Sequence, residues 1–99
     1  MTDVEVTATG SIPRAQVDAA REHVASALGA VGASSARVQL TLRRSGPDEP
    51  AGGYVADALA FSAGRVIAAH ASGTMPVDAA GAVAERLIGK WPAHRGPPR

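Results

Sequence analysis

The residues of this chain that could do chemistry are few, and their spacing matches no familiar catalytic or metal site. The three histidines, His23, His70 and His94, are far apart in sequence, and the chain has no cysteine. Catalysis or metal binding by His70 would need partners that its sequence neighbours do not supply. We therefore expect His70 to be a hydrogen-bonded structural histidine, and we expect no metal and no cofactor.

Asp57 is an acidic residue in the middle of an otherwise apolar run. In a regular strand its side chain lies on the same side as those of Val55, Leu59 and Phe61. It is either a buried acid of a small active site or a carboxylate satisfied by backbone donors or a neighbouring arginine. The chain has no glycine-rich phosphate loop, no closely paired carboxylates and no nucleophile elbow, so we predict that it is not an enzyme and has no small-molecule substrate.

The basic side chains suit a different chemistry, which is contact with phosphate. Arg86 and Lys90 are one helical turn apart and share a side without an acid between them. Arg14 and Arg21 alternate with acidic residues at helical spacing, so an exposed ion-paired face is an equal alternative there. Arg95 lies in a short basic stretch near the end of the sequence. We take these basic residues as candidate phosphate contacts.

Composition narrows the class of protein. A chain of 99 residues is long enough for one domain with its own core, and its net charge of +1 gives no general attraction to nucleic acid. Any RNA binding must therefore come from local clusters of basic residues. No basic start leads into a long apolar run, so we expect a cytoplasmic protein that does not associate with a membrane.

The hydrophobic periodicity predicts the elements that position these residues. Val4, Val6 and Ala8 alternate with polar residues as in a half-buried strand, which stops at Gly10. A helix follows to about Gly32, with Ser11 as its N-cap and Pro13 in its first turn. A second alternating strand, Arg37 to Arg44, turns Arg37, Gln39, Thr41 and Arg43 to one side of the sheet, and a loose connection follows from Ser45 to Gly53.

The second half of the chain predicts a hairpin and a helix. Strands at about Tyr54 to Ser62 and Arg65 to Ala71 are joined by too few residues for anything except a tight turn. An apolar stripe then predicts a helix from about Val77 to Trp91, with Trp91 in the core. The fold class is α+β, a two-layer sandwich of order β-α-β-β-β-α with a four-stranded sheet and both helices on one face. Residues 1–91 form this domain, and residues 92–99 are a disordered tail or the start of a linker.

The hairpin sequence resembles that of ribosome hibernation factors. In that family a strand reading roughly aromatic-Val-Ala-Asp-Ala, a glycine turn and a second alanine-rich strand lead into a final helix with basic residues. This chain has Tyr54-Val55-Ala56-Asp57-Ala58, then Ala63-Gly64. The resemblance also extends to Arg21-Glu22-His23-Val24 in the first helix and Arg86-Leu87 in the second.

The resemblance implies a fold like that of double-stranded-RNA-binding domains and a role without catalysis. It implies binding to 16S rRNA of the small ribosomal subunit, with inhibition of translation during dormancy or stress. The site residues that it implies are Arg21, Arg86 and Lys90, with Arg14 and Arg95 as further rRNA contacts. It also implies that the chain is a short form of the family or a fragment of a longer protein.

Two departures from the family pattern favour an alternative. Ser26-Ala27 stands where the family commonly has a lysine pair, and Ile88 and Gly89 interrupt the usual basic run after Leu87. These changes and the near-neutral net charge suit a degenerate domain of the same fold that acts as a protein-interaction or dimerisation module. Its surface would be the open sheet face with Arg37, Gln39, Thr41 and Arg43. The alternative includes a homodimer formed through this face.

Overall fold

The structure, a computed structural model, describes residues 3–30, 36–46, 53–62 and 64–91. Its elements follow the predicted order and number. They are β1 (Asp3–Ala8), α1 (Arg14–Ala30), β2 (Arg37–Arg44), β3 (Tyr54–Ser62), β4 (Arg65–Gly73) and α2 (Pro76–Lys90). The predicted loose connection and the predicted tail fall largely on residues 47–52 and 92–99, which lie outside the described residues, as does the predicted helix end at Gly32.

The four strands form one mixed sheet in the order β1-β2-β3-β4. β1 pairs with β2 in parallel, while the β2–β3 and β3–β4 pairs are antiparallel. The β3–β4 hairpin was predicted, and it turns at Gly64, whose φ of 76° is left-handed and favours glycine. β4 continues two residues beyond its predicted end, because Val55 and Tyr54 extend the pairing to Ser72 and Gly73.

The core lies between the sheet and the two helices, which cover the same face. β3 and β4 contribute mainly alanines to the core, while β2 contributes larger aliphatic side chains. Ala56, Ala58 and Ala60 of β3 and Ala69 and Ala71 of β4 are buried in the same cluster as Leu28 of α1 and Leu87 of α2. Trp91 is also part of that cluster and is 5% exposed, as its register predicted. The two-layer α+β architecture is therefore confirmed.

The start of α1 differs from the prediction. Ser11 was expected to cap the helix, but the first helical residue is Arg14 and the carbonyl of Pro13 accepts hydrogen bonds from the amides of Gln16 and Val17. A proline disfavours the helical conformation of the residue before it, so Ile12 stays outside the helix and the cap position falls on Pro13. Ser11 lies too early in the chain to serve as the cap.

The second helix spans nearly the predicted residues. It begins one residue earlier than predicted, with Pro76 in its first turn, and ends at Lys90 with Trp91 in an extended conformation. Its entry is tight: a Cβ on Gly73 would lie 2.6 Å from the amide nitrogen of Ala79. The close approach of β4 to the first turn of α2 therefore requires glycine at position 73. Neither α1 nor α2 is long and apolar enough to cross a membrane.

Candidate nucleic-acid interface

The last turn of α2 is attached to the edge of the sheet. α2 follows β4 through a short turn and runs back along it, so the end of the helix lies beside the first half of the strand. The ammonium Nζ of Lys90 donates a hydrogen bond of 2.7 Å to the backbone carbonyl of Ala68. β4 is an edge strand of the sheet, and Lys90 provides a partner for this backbone carbonyl.

Two further basic residues are exposed on the same two elements, α2 and β4. Arg86 is exposed one helical turn before Lys90, and Arg65 is exposed at the first position of β4. We call Arg65, Arg86 and Lys90 the edge basic cluster. Sequence reasoning proposed Arg86 and Lys90 but missed Arg65. The signal was available, because a helix that follows a strand through a short turn runs back toward the start of that strand.

Arg21 is engaged within its own helix. Its guanidinium Nη1 lies 2.9 Å from Oδ1 of Asp18, one turn earlier, and both side chains are about half exposed. Arg21 and Asp18 therefore form the ion pair that their helical spacing indicated as an alternative. Exposed pairs of this kind contribute roughly 0.2–1 kcal/mol, so the pair would not prevent Arg21 from contacting a phosphate.

Arg14 lies at the opposite end of the molecule from Lys90. β1 and β4 run in the same direction, since β1 is parallel to β2 and two antiparallel steps lead from β2 to β4. α1 begins where β1 ends, whereas α2 ends where β4 begins. The structure therefore does not bring Arg14 together with Arg86 and Lys90. Arg95 lies outside the described residues.

The groove between the two helices is acidic, which sequence reasoning did not anticipate. On the α1 side a shallow cleft is lined by Glu22 and His23, and on the α2 side another is lined by His23, Asp78 and Glu85. His23 packs against Gly81, where an added Cβ would lie 3.0 Å from its Nε2 atom. Carboxylates along this groove disfavour a phosphate chain running across both helices.

Asp57 and His70 face each other across the open side of the sheet, the side away from the helices. They are register partners on β3 and β4, and Oδ1 of Asp57 lies 2.6 Å from Nδ1 of His70. The Arg43 Nε atom lies 4.0 Å from the other carboxylate oxygen. His70 is hydrogen-bonded as predicted. The alternative of a buried acid is wrong for Asp57, whose side chain is 48% exposed because the open face has no covering helix.

The predicted orientation of β2 agrees with the structure. Val38, Leu40 and Leu42 are buried under the helices, which leaves Arg37, Gln39, Thr41 and Arg43 on the open face. Arg44 lies on the other side at the end of the strand, with its guanidinium carbon 5.5 Å from the centre of the Tyr54 ring. Within residues 3–30, 36–46, 53–62 and 64–91, no three histidine, aspartate or glutamate side chains are grouped to hold a metal ion.

Together these features define the class of protein: a small α+β domain in which two helices cover one face of a four-stranded sheet. Two solved structures share this fold over their whole length. The N-terminal domain of Protein Y from Thermus thermophilus is 15% identical to this chain, with a TM-score of 0.67, and the match covers 98% of this chain and 100% of that one. A ribosomal subunit interface protein from Coxiella burnetii is 14% identical, with a TM-score of 0.68 and the same coverage.

The likeness confirms the resemblance to ribosome hibernation factors at the level of the fold. No protein-family model matches the sequence, and no curated protein matches it. At 14% and 15% identity the two structures share an architecture with this chain and few individual residues.

Proposed function

We propose that this protein is a ribosome-associated translation inhibitor of the hibernation type, which binds without catalysis and acts in the cytoplasm during dormancy or stress. The observation that carries the proposal is the overlap of its whole fold with two solved structures, one of them a ribosomal subunit interface protein. The resemblance of the hairpin and helix sequences supports the same partner. The partner is the small ribosomal subunit, and the mode of action is occlusion.

The proposed contacts are between arginine or lysine side chains and phosphates of 16S rRNA. Such contacts need no base recognition and weaken as salt rises. The edge basic cluster suits this role, because Arg65, Arg86 and Lys90 are exposed on α2 and on the edge strand β4. The hydrogen bond from Lys90 to Ala68 uses one of the three ammonium protons, so the others are available to a phosphate.

The acidic groove directs the contact to one side of the molecule. A phosphate chain crossing both helices would meet Glu22, Asp78 and Glu85, whereas one following the outer side of α2 would meet Arg86 and Lys90. Arg21 and Arg14 are therefore weaker members of the proposed site than the sequence alone suggested. They remain candidates where rRNA also reaches the exposed side of α1.

Co-sedimentation with purified small ribosomal subunits at low salt tests the proposal. We expect the wild-type chain to pellet with the subunits and an Arg86→Glu, Lys90→Glu variant to remain in the supernatant. An Arg14→Glu, Arg21→Glu variant carries the same change in charge on α1 and should lose less binding. If neither the wild type nor any variant pellets with the subunits, the proposal is wrong.

A second function is supported by one feature of the open sheet face. Leu59 is 39% exposed and Val66 is 61% exposed, on neighbouring strands β3 and β4. Exposed apolar side chains next to one another suit contact with a protein, including a second copy of this chain. This alternative predicts concentration-dependent dimerisation and no sedimentation with ribosomal subunits at low salt.

A further inference from the structure

The open sheet face carries a shallow cleft of about 480 Å³. It spans β2, β3 and β4 and is bounded by the side chain of Lys90, which reaches the edge of β4 from α2. We call it the open-face cleft, and its principal lining residues are Gln39, Thr41, Asp57, Leu59, His70 and Lys90. None of these residues lies in the hydrophobic core beneath the helices.

The polar groups of the cleft are arranged around an imidazole of fixed orientation. The carboxylate of Asp57 accepts a hydrogen bond from Nδ1 of His70, which leaves Nε2 as the ring atom available to a ligand. Gln39 and Thr41 are neighbours on β2 that present an amide and a hydroxyl, each able to donate and accept. These are the groups with which proteins read the edges of unpaired bases.

Apolar and aromatic side chains form the rest of the surface. Leu59 pairs with Ala68 across the β3–β4 ladder, and Phe61 pairs with Val66 one row away. Phe61 and His70 lie on neighbouring strands and are two rows, or four residues, apart in register, which places them about 14 Å from each other by strand geometry. Both rings are of kinds on which bases stack.

The charges of this face limit where an anionic chain could lie. Arg37 pairs with Phe61 across the β2–β3 ladder, and Lys90 lines the cleft together with His70 at the β4 edge. The carboxylate of Asp57 is hydrogen-bonded by His70, and the Arg43 guanidinium 4.0 Å away offsets its negative charge. Asp3 and Glu5 on β1 would repel phosphates. The complementary surface is therefore confined to β2, β3 and β4.

We propose that the open-face cleft and the adjoining Phe61 ring bind a segment of about three nucleotides of unpaired RNA, with bases stacked on His70 and Phe61 at its two ends and phosphates near Arg37 and Lys90. The choice of RNA rests on the proposed function, and the cleft adds single-stranded RNA to the phosphate contacts of the edge basic cluster. The apolar residues alone would suit a protein partner equally. The converging amide, hydroxyl and imidazole groups beside two cations favour RNA.

The test is binding of a labelled decauridine oligonucleotide to the full chain at low salt, followed by fluorescence anisotropy and by amide chemical shifts. We expect shifts at Gln39, Thr41, Leu59 and His70. We expect His70→Ala to weaken binding about tenfold, the size of a lost base stack. Leu59→Glu should weaken it at least as much, because it places a carboxylate on the floor of the cleft.

Ser26→Glu on the exposed side of α1 is the matched control, since it adds the same charge on the opposite face of the molecule. Its affinity for decauridine should equal that of the wild type. Equal affinities for Leu59→Glu and Ser26→Glu would overturn the proposal, as would chemical shifts confined to α1 and α2. No binding of decauridine, or shifts on the open face that reflect self-association without RNA, would overturn it as well.

The test of the cleft and the test of the proposed function give results that can be told apart. Arg86→Glu is expected to reduce binding to the small subunit and to leave decauridine binding unchanged, because Arg86 is not part of the cleft. Decauridine binding without subunit binding would contradict the proposed ribosome binding but support the open-face cleft. Subunit binding with no effect of Leu59→Glu on decauridine would reject the cleft alone.

Discussion

Lys90 and Ala68 connect the two layers of this protein at its exposed edge. The ammonium of Lys90 donates a hydrogen bond of 2.7 Å to the carbonyl of Ala68, which lies in the edge strand β4. The bond places a positive charge where a further strand would otherwise pair. The same side chain therefore belongs to the proposed phosphate contacts and protects the edge of the sheet.

Replacing Lys90 with methionine should leave the fold intact and make the chain more prone to associate. Methionine keeps an unbranched apolar stem but removes the charge and the hydrogen bond. Because the bond is exposed, we expect the free energy of unfolding to fall by less than about 1 kcal/mol in urea titrations. Sedimentation velocity should show more self-association than for Arg86→Met, the control one turn earlier. Equal association of the two variants would contradict a protective role for Lys90.

The architecture could be predicted because the hydrophobic pattern and the short connections leave few choices. Alternation in β2 fixed which side chains lie under the helices, and the short link between Ser62 and Arg65 forced an antiparallel hairpin. The prediction was wrong where two residues could each have set the start of a helix. Ser11 is a good capping residue, yet Pro13 decided where α1 begins because it restricts Ile12.

The candidate site was predictable only in part, because it depends on which side chains the tertiary fold brings together. The pair of Arg86 and Lys90 follows from helical spacing within one element. The proximity of Lys90 to Ala68, and the carboxylates of Glu22, Asp78 and Glu85 between the helices, depend on how separate elements pack. The exposure of Asp57 depends in the same way on which face of the sheet the helices leave open.

Substitution of Gly73 by alanine should be strongly destabilising. An added Cβ would lie 2.6 Å from the amide nitrogen of Ala79 and 2.9 Å from atoms of Asp78, so the first turn of α2 would have to move. We expect a loss of about 1–3 kcal/mol, the usual cost of overpacking, measured by urea or thermal unfolding.

The control for Gly73 is Gly29→Ala. A Cβ at position 29, in α1, meets nothing within 4 Å. Alanine there should be neutral or stabilise the chain by up to about 1 kcal/mol, because it favours the helix. A Gly73→Ala variant as stable as Gly29→Ala would show that β4 and α2 do not approach as closely as described.

Two leucines on opposite faces of the sheet should respond differently to truncation. Leu28 of α1 is fully buried, and Leu28→Ala should cost about 2–5 kcal/mol of unfolding free energy. Leu59 on the open face is 39% exposed, and Leu59→Ala should cost less than about 1.5 kcal/mol because part of its surface is already in water. Similar losses for both variants would indicate that the open face is covered in solution.

The contact between the helices can be measured with a double-mutant cycle at Gly81 and His23. Alanine at position 81 gains helix propensity but brings a Cβ to 3.0 Å from Nε2 of His23. We expect Gly81→Ala to be close to neutral alone and to stabilise by about 0.5–1 kcal/mol in a His23→Ala background, where the contact is absent. The same gain in both backgrounds would mean that His23 moves away at no cost.

The most direct test of the proposed function is the salt dependence of binding to purified small ribosomal subunits. We predict that the wild-type chain binds at low salt, that its affinity falls linearly with salt on logarithmic axes, and that Arg86→Glu reduces the slope by about 1. Binding that is absent at low salt, or that is independent of both salt and Arg86, would contradict phosphate contact through the edge basic cluster.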